Sequence, residues 1–106
     1  MSDETSKDAK QTVAASVVSK LCELKVAAAS NPSSVAGSLV KNIQEGKDVT
    51  LLCIGASAVN QAVKALGIAR GYIASQGVDL YFKVGFTNLI IEGNERTALK
   101  FFTFTK

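Results

Sequence analysis

Hydrophobic residues recur at helical spacing near the beginning of the chain. Those that share one side of the predicted helix are Val13, Ala14, Val17, Val18 and Leu21. The ten residues at the start are polar and mixed in charge, which is typical of a mobile tail. Because so short a helix is unstable alone, we expect it to dock on the folded domain or on a partner chain. Residues 1–20 are therefore predicted to be an N-terminal extension.

From Leu21 onward the pattern changes to alternation, which predicts a strand. Its apolar face consists of Cys22, Leu24, Val26 and Ala28. The next segment begins a helix: Asn31 can accept hydrogen bonds from free N–H groups of the first turn, and Pro32 suits the first helical position. The apolar stripe of this helix is Val35, Ala36, Leu39, Val40 and Ile43. Gly46 is its expected end.

Residues 49–54 form an unbroken apolar run, which is typical of a strand inside a sheet. A second helix is predicted from about residue 57 to residue 74. Its expected core face is Val59, Ala62, Val63, Leu66, Ala69 and Ile73. Gly67 and Gly71 each weaken that helix by about 1 kcal/mol relative to alanine. We therefore expect another backbone to approach them closely, from the sheet beneath or from a second subunit.

The remainder of the chain predicts two strands, at about residues 78–91 and 96–105. Gly93-Asn94 suits the two-residue loop of a type II′ hairpin. In the last strand Leu99 and Phe101 point to one face, and Phe102 and Phe104 point to the other. Since both faces are apolar, we expect a helix layer on one face and a partner on the other.

The element order is β-α-β-α-β-β, and it occupies residues 21–106 after the extension. Two helices on one face of a four-stranded mixed sheet are the simplest way to bury both helical stripes. The predicted fold class is therefore α+β, with two layers. A length of 106 residues agrees with one such domain and one modest core.

Composition narrows the possible functions. Hydrophobic residues make up 47% of the chain, too many for a disordered protein, and charges interrupt them too often for a membrane span. The first residues lack the apolar run of a secretory signal, so we expect a cytoplasmic protein. We expect Cys22 and Cys53 to be buried reduced thiols, with a disulfide or a two-thiol metal site as the minor alternative.

We expect no enzymatic activity, no cofactor and no resident metal. The chain contains no histidine, which excludes histidine-dependent triads and imidazole acid–base catalysis. The loop acids Asp79, Glu92 and Glu95 lack an accompanying base, nucleophile or metal-ligand set. Binding chemistry remains as the more probable role.

Charge is distributed unevenly along the chain. Residues 24–106 hold nine Lys and Arg against five Asp and Glu, a net charge of +4, whereas residues 1–23 carry −1. A basic domain favours a polyanionic partner, although +4 is also an ordinary charge for solubility.

A series of motifs follows along residues 24–103. They are Leu24-Lys-Val, Pro32-x-Ser-Val-Ala-Gly-x-Leu39, Ile54-Gly-Ala, Asn60-Gln-Ala-Val-Lys-Ala65, Ile68-Ala-Arg-Gly71, Gly77-Val-Asp-Leu80, Phe86-Thr and Glu95-Arg-Thr-Ala-x-Lys100. In content and order they closely resemble the bacterial stage V sporulation protein S family. That family is related to the Alba nucleic-acid-binding proteins, whose β-α-β-α-β-β fold matches the order above. The resemblance implies a homodimer or higher oligomer that binds DNA or RNA.

The resemblance also implies where nucleic acid would bind: at the first strand–helix loop, the start of the second helix and the β-hairpin arm. The candidate residues at those places are Ser30, Asn31, Ser33, Ser57, Asn60, Lys64 and Arg96. Hydroxyls, amides and helix N-termini can bind phosphate, and Lys64 and Arg96 add charge.

The first loop and the hairpin tip depart from the pattern of a nucleic-acid-binding relative. The first loop has Ala29 where we expect a lysine, and Glu92 and Glu95 flank the hairpin tip. The main hypothesis is a nucleic-acid-binding protein that acts in regulation or chromosome organisation, with sporulation as a possible setting. The alternative is an assembly protein that oligomerises through the domain and the extension without binding nucleic acid.

Other charged and aromatic residues have ordinary structural explanations. We expect Arg70 and Arg96 to pair with Asp79 or Glu95 more readily than with phosphate. The aromatic residues of the last strand can stack on bases, but packing in the core or in a dimer is the more probable role. No membrane and no small-molecule substrate is expected.

Overall fold

The computed structural model describes residues 20–106, so the predicted extension helix lies outside the described residues. The elements are β1 (Leu21–Val26), α1 (Pro32–Gln44), β2 (Asp48–Ile54), α2 (Ala56–Ala74), β3 (Leu80–Ile91) and β4 (Asn94–Thr105). This sequence of elements confirms the predicted β-α-β-α-β-β order.

The four strands form one mixed sheet in the spatial order β1-β2-β4-β3. β1 runs parallel to β2, with Leu24 opposite Leu51. β4 runs antiparallel to β2, with Phe101 opposite Leu51, and β3 and β4 form a long antiparallel hairpin. The parallel pair and the antiparallel hairpin in one sheet agree with the α+β, Alba-like arrangement that the resemblance implies.

Both helices pack on one side of this sheet, which we call the inner face. Its strand residues in the core are Val26, Val49, Leu51, Cys53 and Phe101. The helices contribute Leu39 and Val40 from α1 and Leu66 and Ile73 from α2. Thr103 is the buried polar residue of this layer among residues 20–106, and its hydroxyl donates a hydrogen bond of 2.7 Å to the Val49 carbonyl. The core is therefore single and lies between the helices and the sheet.

The opposite side of the sheet, which we call the outer face, carries both apolar and charged residues. Its charged residues are Glu23, Lys25, Asp48, Lys83, Arg96 and Lys100, and Lys100 Nζ lies 3.8 Å from Glu23 Oε2. Strand alternation and register place Leu21, Leu52, Ile54, Tyr81, Ala98, Phe102 and Phe104 on the same face. Leu99 and Phe101 lie on the inner face, so the predicted split of the last strand is confirmed. Leu52 and Ala98 are buried on the outer face, whereas Leu21, Tyr81, Phe102 and Phe104 remain exposed there.

The beginning of α1 agrees with the sequence prediction. Asn31 is the N-cap, Pro32 is the first helical residue, and Gly46 follows the helix with φ of 83°. β1 ends at Val26, so Ala28, which we predicted in the strand, lies exposed in the following loop. The strand is shorter than predicted because the chain must turn there to reach the α1 N-terminus.

The predicted core face of α2 is wrong at one residue. Val63 is 48% exposed, whereas Ala58 and Ala65, which we did not predict, are buried. Alanines therefore form much of the buried side of α2: Ala58, Ala62, Ala65 and Ala69. Small side chains allow α2 to pack closely against α1 and the sheet, and this rotates the bulkier valine outward.

The hairpin loop is displaced by one residue from the prediction. Ile91 pairs with Asn94, so the two loop residues are Glu92 and Gly93, with φ of 51° and 80°. Positive φ at both positions is the property of a type I′ turn rather than a type II′ turn. Asn94 consequently belongs to β4. The sequence prediction failed because Glu92 is an unusual residue for a left-handed conformation.

Replacing Glu92 by asparagine is expected to raise the free energy of unfolding by about 0.5–1 kcal/mol, because asparagine tolerates positive φ better than glutamate. Urea denaturation of the full chain measures this change. Glu95→Asn is the matched control, because it removes the same charge from a strand position. A Glu92→Asn variant no more stable than Glu95→Asn would contradict the type I′ assignment.

Candidate nucleic-acid interface

Two of the predicted binding regions, the first strand–helix loop and the start of the second helix, lie at one edge of the sheet. Because β1 and β2 are parallel, the loop after each strand emerges at the same edge, and each loop leads into the N-terminus of a helix. The Gln61 side-chain Nε2 donates a hydrogen bond of 3.1 Å to the Ala28 carbonyl and joins the two segments. We call this region, residues 27–34 and 55–61, the loop edge.

Within the first loop, two of the predicted residues use side-chain atoms to hold the loop itself. The Ser30 hydroxyl accepts a hydrogen bond of 2.8 Å from the Ala27 N–H. The Asn31 Oδ1 accepts hydrogen bonds of 2.8 Å from the Ser33 N–H and 3.1 Å from the Ser34 N–H. The first N–H groups of α1 are thus already satisfied. For a ligand this loop offers the exposed Ser33 hydroxyl and the Asn31 amide nitrogen.

The start of α2 is more open than the start of α1. Its N-cap is Gly55, which has no side chain to accept the first N–H groups, and the first turn contains no acidic residue. These N–H groups carry the partial positive charge of the helix terminus. The predicted residues Ser57, Asn60 and Lys64 are exposed, and their spacing of three and four positions places them on one side of α2. This helix start is therefore the stronger of the two for binding an anion.

The structure adds two residues that our site prediction omitted. Gln61 connects the two halves of the loop edge, as described above. Lys25 is exposed in β1 and lines a groove of about 270 Å³ together with Ser30, Asn31 and Ser34. A polar position three residues before the end of the predicted strand was the available indication for Lys25. It supplies a cation beside the first loop, which has none of its own.

Arg96 lies on the hairpin arm. It pairs across the hairpin with Leu89. Leu89 lines an outer-face groove of about 470 Å³ that also includes Lys25, Ala28 and Ile54, whereas Arg96 does not line it. The structure therefore places Arg96 near one wall of a groove that reaches the loop edge, without direct contact between Arg96 and the loops. Glu92 and Glu95 remain exposed at the tip.

Among the ion pairs within residues 20–106, one confirms a prediction. Arg70 Nη2 lies 3.6 Å from Asp79 Oδ1, and both side chains are more than half exposed. Such an exposed pair contributes little to stability. In the same part of the chain, Lys25, Lys64 and Arg96 form no ion pair, so the predicted pairing of Arg96 with Asp79 or Glu95 is wrong. No carboxylate among the described residues neutralises these three cations.

The described residues contain no cluster of three or more metal-ligating side chains. Cys22 is half-buried, Cys53 is buried, and both are free thiols. Burial raises the pKa of the Cys53 thiol, which keeps it protonated and unreactive at neutral pH. Neither helix of residues 20–106 combines the length and the apolar character that a membrane crossing requires.

Replacing Asn31 by alanine is expected to lower the free energy of unfolding by about 1 kcal/mol, because two N–H groups lose their acceptor. Asn31→Asp should retain the cap and the stability. Thermal or urea denaturation measures both changes, and Ser33→Ala is the control for an exposed hydroxyl in the same turn. Equal stability of Asn31→Ala and the unchanged chain would show that the cap is not stabilising.

Comparison with known families matches residues 22–106 to the family model described as Stage V sporulation protein S (SpoVS). The match includes β1 from its second residue, both helices, the hairpin and every residue of the loop edge. It confirms the resemblance found in the sequence motifs. The chain belongs to the stage V sporulation protein S family.

Proposed function

We propose that this protein binds nucleic acid through the loop edge and acts, without enzymatic activity, in regulation or chromosome organisation. The observation that carries the proposal is the juxtaposition of the first loop and the uncapped α2 N-terminus, joined by the hydrogen bond from Gln61 to Ala28. Membership in a family named for a sporulation protein supports sporulation as the setting. Free cysteines agree with a reducing cytoplasm as its location.

Electrostatics support phosphate as the group that is bound. The open amides of α2 favour an anion, and Ser57 and Asn60 add neutral donors beside them. Lys25, Lys64 and Arg96 contribute charge, and no partner within residues 20–106 neutralises them. These groups recognise a phosphate backbone rather than base edges, so binding to DNA or RNA should tolerate most sequences.

The number of available cations sets the expected strength. Three cations per subunit that neutralise three phosphates give a slope of log affinity against log salt of about −3. Binding should therefore be weak at physiological salt and measurable at low salt. The two carboxylates at the hairpin tip oppose a close approach of phosphate there, which favours the loop edge as the principal contact.

Fluorescence anisotropy at low salt, with duplex DNA, single-stranded DNA and RNA of equal length, tests the proposal. Lys25→Glu and Lys64→Glu should each weaken binding and reduce the salt slope by about 1, because each removes one phosphate contact. Asn31→Asp should also weaken binding, since it adds a negative charge while keeping the helix cap.

The control is Lys106→Glu, which makes the same charge change at the opposite edge of the sheet, beyond the end of β4. Failure to bind any of the three nucleic acids would refute the proposed function. Equal losses in Lys106→Glu and Lys64→Glu would instead reject the loop edge as its site.

We further propose that the protein associates as a homodimer through the exposed side of α2. This surface, the α2 ridge, consists of Val63, Gly67, Ile68, Gly71 and Tyr72. Val63, Ile68 and Tyr72 are 46–54% exposed, and a methyl group added at Gly67 or Gly71 would meet no atom within 4 Å. The sequence predicts that another backbone approaches these glycines, and no described part of the sheet comes within 4 Å of the added methyl groups. A second subunit is therefore the partner that we propose. The same surface favours assembly as the alternative function.

Gly67→Leu tests the ridge, because leucine should stabilise an exposed helix by about 1 kcal/mol while obstructing a close helix–helix contact. The expected result is a folded monomer in light scattering, where the unchanged chain has twice that mass. Ser38→Leu is the matched control on the side of α1 near Lys25, away from α2. A Gly67→Leu variant that keeps the mass of the unchanged chain would exclude this ridge as the interface.

A further inference from the structure

A groove lies on the outer face, next to Leu21, where the N-terminal extension joins β1. It has a volume of about 580 Å³, and its lining includes Leu21, Thr50, Phe102 and Phe104. Leu21 is 62% exposed, and Phe102 and Phe104 are 38% and 40% exposed. Large apolar side chains that remain this accessible around one groove require a cover.

The aromatic floor of the groove is already ordered. The Tyr81 and Phe104 rings stack with their centroids 5.5 Å apart, and Lys83 Nζ lies 5.5 Å from the Phe104 ring centroid. The Phe102 ring lies over Gly85, where an added methyl group would come within 2.9 Å of it. These contacts fix the rings in place along the sheet. The rings are therefore preformed for an apolar partner, and Glu23 and Asp48 line the same groove beside them.

We propose that the occupant is this chain's own N-terminal segment, with its apolar stripe packed into the groove. The stripe consists of Val13, Ala14, Val17 and Val18 and has no other assigned role. Two residues, Ser19 and Lys20, connect the stripe to Leu21. The Lys20 carbonyl accepts a hydrogen bond of 2.6 Å from the Asp48 N–H, so the chain is fixed to β2 two residues after the segment ends.

Direction and reach favour the chain's own segment over a second copy. Leu21 is opposite Asp48, while its neighbour Cys22 is opposite the inner-face residue Val49, so the Leu21 side chain points to the outer face. β4 lies two strand spacings from β1, about 10 Å. Two linking residues span up to about 7 Å, and residues 13–18 of a helix span about 8 Å. The stripe can therefore reach Phe102 without rearrangement of the sheet.

The family match begins at residue 22, so the extension lies outside the matched residues. The outer-face groove is covered here by a part of the chain that the family model does not include. The inference is independent of nucleic-acid binding, because the groove and the loop edge use different residues of the sheet.

Tryptophan fluorescence of the full chain tests the proposal, since the sequence contains no tryptophan. Val17→Trp should emit at shorter wavelength and resist acrylamide quenching, because Val17 belongs to the stripe. Ser16→Trp, one position away and off the stripe, should emit as an exposed residue. Backbone amides of residues 13–18 should also exchange about tenfold or more slowly than those of residues 2–8, as expected for a locally stable segment.

A second substitution locates the contact. Adding Phe102→Ser to Val17→Trp should restore exposed emission, whereas adding Phe86→Ser should not, because Phe86 lies on the inner-face side of the hairpin. Circular dichroism verifies that both double variants are folded. Identical emission and quenching of Val17→Trp and Ser16→Trp would overturn the proposal. A blue shift lost on dilution, together with a fall in mass, would overturn it in favour of docking on a second copy.

Discussion

The structure depends on the burial of one sheet face under two helices, and α2 decides the geometry of that contact. Alanines at positions 58, 62, 65 and 69 are almost fully buried, so α2 packs against α1 and the sheet with little side-chain bulk between them. This close packing turns Val63, Ile68 and Tyr72 outward. The same contact that forms the core therefore also creates the α2 ridge and fixes the α2 N-terminus at the edge of the sheet.

Parallel pairing of β1 and β2 gives the loop edge its character. Two strands that end at the same edge bring two helix N-termini together, and Gln61 ties the second helix to the first loop. The two termini are chemically unequal, because Asn31 satisfies the first N–H groups of α1 while Gly55 leaves those of α2 open. An anion would consequently find its strongest electrostatic site at α2, where Lys64 lies on the same side of the helix as Ser57 and Asn60. The uncharged first loop is thus less of an obstacle to phosphate binding than its sequence implies.

The helices cover the inner face of the sheet, and the exposed apolar residues of the outer face need a partner of their own. The antiparallel hairpin supplies most of the aromatic residues of the outer face. The rings of Tyr81 and Phe104 stack on each other, and no helix among the described residues packs on them. The proposed use of the N-terminal segment and the proposed dimer through α2 involve opposite layers of the molecule. One protein can therefore satisfy both without competition. Lys64, however, lies among the ridge residues Val63, Gly67 and Ile68, so a dimer through α2 would share that side of the helix with the proposed phosphate contact.

The sequence by itself determined the element order, the α1 cap at Asn31 and Pro32, and the division of the last strand between two faces. Each depends on local periodicity or on the hydrogen-bonding preference of a single residue, so no distant contact was needed. Only the tertiary structure decided the rotation of α2, the hairpin loop at Glu92-Gly93 and the hydrogen bond from Gln61 to the Ala28 carbonyl. These depend on how closely helices approach, on which strand residues pair, and on which strand ends meet, and such distances in space are not encoded in the spacing of residues along one segment.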